Sequence, residues 1–192
     1  MTADSHQPGD ENNRPRARVT PWITFWALLA GAIALDWWSK TEAVEFHVRA
    51  NGLLAESMPA PIFELGFFNL QVVREYNMGM AFGLLQDTAN AHVYIGAIRA
   101  LGVVVLLFLF HRPGRRTLMH QLALGALIAG TAGNLLDNVF HMEMGHEHSV
   151  RDFILVSISN RSLPAFNLAD VYVAIGAVMF FDILARTRIK KD

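Results

Sequence analysis

Several ionisable side chains stand at the ends of long apolar stretches, where an unpaired charge costs a few kcal/mol and so calls for a partner or a task. Asp36 and Lys40 close one stretch, four apart on a helical face, Asn134 and Asp137 close another, and Asn167 and Asp170 open a third. A further carboxylate, Asp152, sits in Val150-Arg151-Asp152-Phe153-Ile154, 18 residues before Asp170, and Leu155–Leu168 between them is long enough to dip and return. Two aspartates meeting in a partly dry site form a dyad. They cannot both ionise easily, so they share a proton. The ionised member takes a proton from water, the water attacks a peptide carbonyl, and the protonated member polarises that carbonyl and then protonates the leaving nitrogen. Such chemistry requires no metal, no cofactor and no covalent intermediate. Plainer roles exist for the same residues: an i,i+4 ion pair worth a few tenths of a kcal/mol for Asp36 and Lys40, and a helix N-cap for Asn167 with Asp170 three positions on. What separates the readings is depth, because all these groups fall at one level.

That level is set by four apolar stretches, each long enough for the ~20 residues a membrane span needs: about Pro21–Trp38, Ala91–Phe110, Leu118–Asn138 and Asn167–Ala185. The chain has 192 residues, 53% hydrophobic and only 17% charged, which suits an all-α membrane protein. The first stretch ends on Trp37-Trp38 rather than on a small-residue cleavage site, so it reads as a span and not as a cleaved leader. Arg14, Arg16 and Arg18, then Arg112, Arg115 and Arg116, then Arg186, Arg188, Lys190 and Lys191 fall on one side if the spans alternate. Basic loops mark the cytoplasmic side, so both termini are expected inside. The segments Thr41–Asn90 and Val139–Phe166 then face outward, with the polar groups at their membrane edge. Ile62–Glu75 has β-branched and aromatic residues in partial alternation and reads as one or two strands of a small outer β-element. Ala126, Ala129, Gly130 and Gly133 predict close helix packing. The expected organisation is a disordered cytoplasmic tail (1–20), a four-helix membrane unit (21–186) and a basic cytoplasmic end (187–192). A net charge of −1 argues against a nucleic-acid partner. The absence of cysteine removes disulfides, thiol nucleophiles and Cys-based metal sites.

Taken in order, Asp36…Lys40, Tyr76-Asn77-Met78-Gly79-Met80-Ala81-Phe82-Gly83, Gly133-Asn134-Leu135-Leu136-Asp137, Asp152-Phe153-Ile154 and Phe166-Asn167-Leu168-Ala169-Asp170 resemble the lipoprotein signal peptidases (signal peptidase II), bacterial membrane aspartyl peptidases. The likeness runs over most of the chain from Pro21. It implies four transmembrane helices with a small extracytoplasmic β-cradle in the bacterial inner membrane. It also implies cleavage of prolipoproteins just before their diacylglyceryl-modified cysteine, by Asp152 and Asp170. Asp36, Lys40, Asn77, Gly79, Asn134, Asp137 and Asn167 match positions that organise or line the family's site. Membrane lipid is the expected surrounding, and one chain carries both aspartates, so a monomer suffices.

Two departures stand out. The family's third-span motif ends in Asp-Arg, whereas Asp137 is followed by Asn138. Arg151, just before the aspartate, is one candidate to restore the missing forked cation, although neighbours on an extended segment point to opposite faces. The loop with His141, Glu143, His146, Glu147 and His148 is longer than the family's usual connection. It lacks His-Glu-x-x-His spacing, so an exposed polar loop rather than a metal site is expected. Arg99, inside the second span, has no partner legible in the sequence. The competing functional readings are a diverged binder of lipidated peptides and a small transporter or proton relay. Against the relay, no span carries polar residues through its middle.

Overall fold

A computed structural model of the chain describes residues 22–53, 58–78, 90–112, 117–159 and 161–189. The expected tail 1–20, Gly79 with the rest of its motif to Gly83, and the basic residues Arg115, Arg116, Lys190 and Lys191 lie outside them. The described chain is mostly helical, with one small antiparallel sheet: α1 (Trp22–Asn51), β1 (Ala60–Leu65), β2 (Phe68–Asn77), α2 (Ala91–His111), α3 (Leu118–Phe140), β3 (Val150–Ile158), β4 (Arg161–Ser162) and α4 (Leu168–Ile189). Among the described residues three helices are long and apolar enough to cross a membrane: Ala91–His111, Leu118–Phe140 and Leu168–Thr187.

The first helix departs from expectation by running on to Asn51 instead of stopping near Trp38. At ~1.5 Å per residue its 30 residues reach roughly 45 Å, well beyond a ~30 Å hydrocarbon core. The reason lies in one stripe. Leu29, Asp36, Lys40, Ala43 and His47 are all buried and recur at helical spacing. The stripe is apolar at its start and charged in the middle. At its end Ala43 packs with Ala60, Val72 and Phe153 of the sheet. The sheet holds the last third of α1 as helix, a tertiary contact that the polar segment Thr41–Asn51 does not announce.

Helix α3 is the centre on which α1, α2 and α4 pack. Small residues allow the close approach. A methyl group on Gly130 would lie 2.9 Å from the Val173 nitrogen, and one on Gly133 would lie 2.6 Å from Asp36 Oδ2 and 3.2 Å from Ala169 Cβ. At one end of the bundle Phe25 of α1 stacks on Phe110 of α2 at 4.3 Å. The sheet covers the other end.

Its strand order is β1-β2-β3-β4. Ile62–Glu75, expected as one or two strands, falls on β1 and β2, a hairpin turning at Gly66, whose φ of +54° suits glycine. Strand β3 extends the segment around Arg151 and Asp152 into a full strand, through an apolar run Phe153–Val156 that lacks the alternation of a half-buried strand. It pairs with β2, with a bulge between Val72 and Glu75. After β4 the chain returns to β3, where Phe166 and Ile154 exchange backbone bonds of 2.8 and 3.1 Å. That bridge brings the start of α4 alongside Asp152.

Candidate active site

Asp152 projects from β3 and Asp170 from the first turn of α4, and amides hold both. Asn167 Nδ2 donates to Asp152 Oδ1 at 2.6 Å, and Asn77 Nδ2 donates to Oδ2 at 3.2 Å. Asn134 Nδ2 donates to Asp170 Oδ1 at 2.9 Å, and the Asn167 backbone N–H donates to Oδ2 at 3.1 Å. Every carboxylate oxygen of the pair thus has a neutral donor, and among the described residues no cation lies within ion-pairing distance of either aspartate. Asn167 also accepts from the Asp170 N–H at 3.0 Å, so it caps α4 and ties the two aspartates together at once. Burial, and next the negative charge of Asp170, push the Asp152 carboxyl up to about 7, while the Asn77 and Asn167 bonds pull the other way.

Asp36, Lys40, Asp137 and Arg151 form a second cluster. Lys40, fully buried, meets Asp36 at 2.7 Å and Asp137 at 3.1 Å. It also donates to Asn134 Oδ1 at 3.0 Å, turning that amide's N–H toward Asp170. Asp36 Oδ1 accepts the Ala169 N–H at 2.8 Å, satisfying an orphan donor of α4. Asp137 receives the Arg151 backbone N–H at 3.1 Å and the guanidinium at 2.6 and 3.2 Å. The Arg151 guanidinium lies 4.6 Å from the centre of the Trp37 ring and donates to Thr41. Strand alternation thus sends Arg151 and Asp152 to different partners, and the Arg151 cation goes to Asp137 rather than to the aspartate pair.

The histidine-rich loop is tied to β2. Glu143 accepts from Tyr76 Oη at 2.5 Å and from Arg74 Nη2 at 3.4 Å, and the Tyr76 ring stacks on His146 at 4.0 Å. Burial and Glu143 push the Tyr76 hydroxyl up, so it stays protonated as a donor. Burial and the Arg151 charge push His141 down, towards its neutral form. Among the described residues no three His, Asp or Glu side chains converge as metal ligands. Glu143 lies in the stretch whose polarity reads as plain loop, so its anchoring role has no local signal.

Arg99 has the partner that the sequence withheld. Its Nη1 donates to Asn138 Oδ1, and Asn138 Nδ2 donates onward to the His148 carbonyl at 2.7 Å. Asn138 lies one turn after Asn134, on the same face of α3.

Fold and site together define a helical protein with membrane-length apolar helices and a partly buried, amide-held carboxylate pair at the edge of a small sheet. A profile of the signal peptidase (SPase) II family matches residues 28–185. Lipoprotein signal peptidases of Xanthomonas axonopodis pv. citri and Cupriavidus taiwanensis are each 32% identical to the chain. The first alignment covers 87% of both proteins, the second 97% of both. Two solved structures, each a bacterial membrane enzyme determined in meso, share the fold. They give TM-scores of 0.68 and 0.63 at 21% and 22% identity, covering 89% and 85% of this chain and 93% of each of theirs. The chain belongs to the signal peptidase II family and is a peptidase.

Proposed function

We propose that the chain removes signal peptides from prolipoproteins as an aspartyl endopeptidase, with Asp152 and Asp170 as the catalytic pair. The observation that carries this reading is the choice of donors. Among the described residues both carboxylates are held by amides rather than by cations, and the Asp152 carboxyl is raised to about 7. Near neutral pH the pair shares the proton that the raised Asp152 carboxyl retains. Its ionised half accepts a proton from water as the water oxygen attacks the scissile carbonyl. Its protonated half donates to the carbonyl oxygen, and the leaving nitrogen takes up a proton as the C–N bond breaks. Asn77, Asn134 and Asn167 fix the carboxylates for this exchange, and Lys40 orients Asn134.

On this reading α1 is a fourth membrane span, whose Asp36 and tryptophans lower its hydropathy. The bundle lies in the bacterial inner membrane with its basic ends in the cytoplasm. The sheet and site then lie at the outer interface, the depth of a signal peptide still in the bilayer. Exposed Leu101, Val104, Ile175 and Val178 offer acyl chains an apolar surface on α2 and α4. Cleavage comes just before the diacylglyceryl-modified cysteine, and one chain supplies all the residues named. The test is cleavage of a diacylglyceryl-modified prolipoprotein peptide by the purified chain in detergent or bilayer. Product from the parent, and none from either Asp→Asn variant, is expected. Cleavage surviving in Asp152→Asn would overturn the assignment.

A further inference from the structure

We infer that Arg99 is the site's substrate-positioning cation, donating from its guanidinium to backbone carbonyl oxygens of the bound peptide; the inference rests on the peptidase reading above.

The argument starts from cost. An arginine in an apolar membrane-length helix is expensive unless its donors and its charge are matched. Arg99 is half-buried, and its described hydrogen bond uses one nitrogen, Nη1, on a neutral amide. Among the described residues Nε and Nη2 have no acceptor, and no carboxylate pairs with the side chain. Mere anchoring of α2 to α3 would not need a guanidinium; a neutral amide or hydroxyl could bond Asn138 at lower cost.

The location supplies the purpose. Asn138, which holds Arg99, is one helical turn from Asn134, which holds Asp170, so the two bonds stand roughly 6 Å apart along α3. The same Asn138 amide grips the His148 carbonyl just ahead of β3, the strand that carries Asp152. The charges acting on Arg99 are those of Asp170, Asp152 and Asp137. Charge accounting agrees. Asp36, Asp137, Lys40 and Arg151 cancel, and an aspartate pair with one shared proton keeps a single negative charge for Arg99 to balance. The carboxylates around it repel an anionic ligand. What fits is a neutral acceptor with an exposed lone pair, and an extended peptide next to its scissile bond presents such carbonyls. A planar fork with spare N–H groups suits two of them at once. The position after Asp137, where the family's motif has arginine, is here Asn138, and the structure sets a guanidinium against it from α2.

The test measures cleavage of a diacylglyceryl-modified prolipoprotein peptide by the full chain and its Arg99→Gln, Arg99→Lys and Arg99→Leu/Asn138→Arg variants. Binding of the same peptide to Asp152→Asn and Asp152→Asn/Arg99→Gln chains is measured alongside. Arg99→Gln is expected to raise KM roughly tenfold, the loss of one charge-assisted bond, with kcat changed less than about threefold. Arg99→Lys should recover only part, since it keeps the charge and loses the fork. Moving the guanidinium to position 138 should return KM to within about threefold of the parent, an outcome that a purely structural Arg99 would not give. An unchanged KM in Arg99→Gln, equal peptide binding by the two Asp152→Asn chains, or a double variant no better than Arg99→Gln would each overturn the inference. If the parent chain fails to cleave at all, the peptidase reading falls, and the binding comparison alone decides whether Arg99 holds peptide. Should Arg99→Gln not fold, the Arg99→Lys and double variants carry the same comparison.

Discussion

Two groups of carboxylates sit under the sheet, joined through Asn134, and they are held in opposite ways. Asp36 and Asp137 meet Lys40 and Arg151 at 2.6 to 3.1 Å in a buried cluster whose charges cancel. Among the described residues Asp152 and Asp170 meet only amides. A carboxylate set against a buried cation is fixed by that ion pair and serves as a strut between helices. One held by amides has its geometry fixed while its proton remains exchangeable. On the proposed reading the chain uses cations where it needs rigidity and asparagines where it needs chemistry, and Lys40 links the two by orienting Asn134.

The sharpest way to break this contrast is to neutralise one carboxylate in each group. Asp152→Asn should lower kcat by roughly 10³-fold or more, the scale of a lost acid–base group, without loss of folding. Its stability should even gain at neutral pH. The folded state raises the Asp152 carboxyl to about 7, so it holds that proton more tightly than the unfolded chain does. Stability therefore falls as pH rises from the ordinary carboxylate range to about 7, and the Asn variant escapes that fall. Melting temperatures of parent and variant between pH 5 and 8 check the sign. The contrast fails if the two curves run parallel.

Removing the cation of the other group should do the reverse. Lys40→Met leaves Asp36 and Asp137 buried against fewer positive charges, and breaking such a pair costs about 3–5 kcal/mol. Thermal unfolding in detergent should show a large drop. Residual activity should be low as well, because Asn134 loses the partner that orients it.

These differences were unevenly legible in the residues. Asp36 with Lys40, and Asn167 with Asp170, are spaced within one helix, so the 3.6-residue period brings them together whatever the tertiary fold. Lys40 with Asp137, Arg151 with Asp137 and Arg99 with Asn138 join residues 14 to 97 positions apart along the chain, and only tertiary packing decides them. The run of α1 to Asn51 is of that kind too, since the sheet stabilises it from outside. The length of β3 was hidden because its apolar run Phe153–Val156, without alternation, suits a buried helix or a buried strand equally. For Arg151 the sequence offered two readings, and pleat alternation favoured the one in which it points away from Asp152.

A gentler change sharpens the comparison inside the amide-held group. Asn77 and Asn167 both favour ionised Asp152, so deleting one should raise its proton affinity further. The alkaline limb of kcat/KM, expected near pH 7 in the parent, should move upward in Asn77→Ala while the substrate and its KM stay similar. A limb that moved down would mean that Asn77 favours the protonated carboxyl, with its amide assigned the other way round. Full loss of activity with no shift would make Asn77 a positioning group only.

The smallest expected effect tests how the cation-held group is finished at its edge. Arg151 spends three N–H bonds on Asp137 and Thr41 and lays its guanidinium plane 4.6 Å from the centre of the Trp37 ring. The ring faces a cation that is nearly buried, so the attraction is worth about 1–2 kcal/mol, at the desolvated end of such contacts. Trp37→Leu keeps an apolar side chain there and removes the π-face, and should lower the melting temperature by a few degrees at unchanged kcat. Trp37→Phe retains a weaker face and should fall between. The order Trp, Phe, Leu follows if the ring's electrostatics hold Arg151; equal losses for Phe and Leu would mean that only the size of the indole matters. Because Arg151 reaches Asp137 and not the aspartate pair, neither variant should move the pH profile of cleavage.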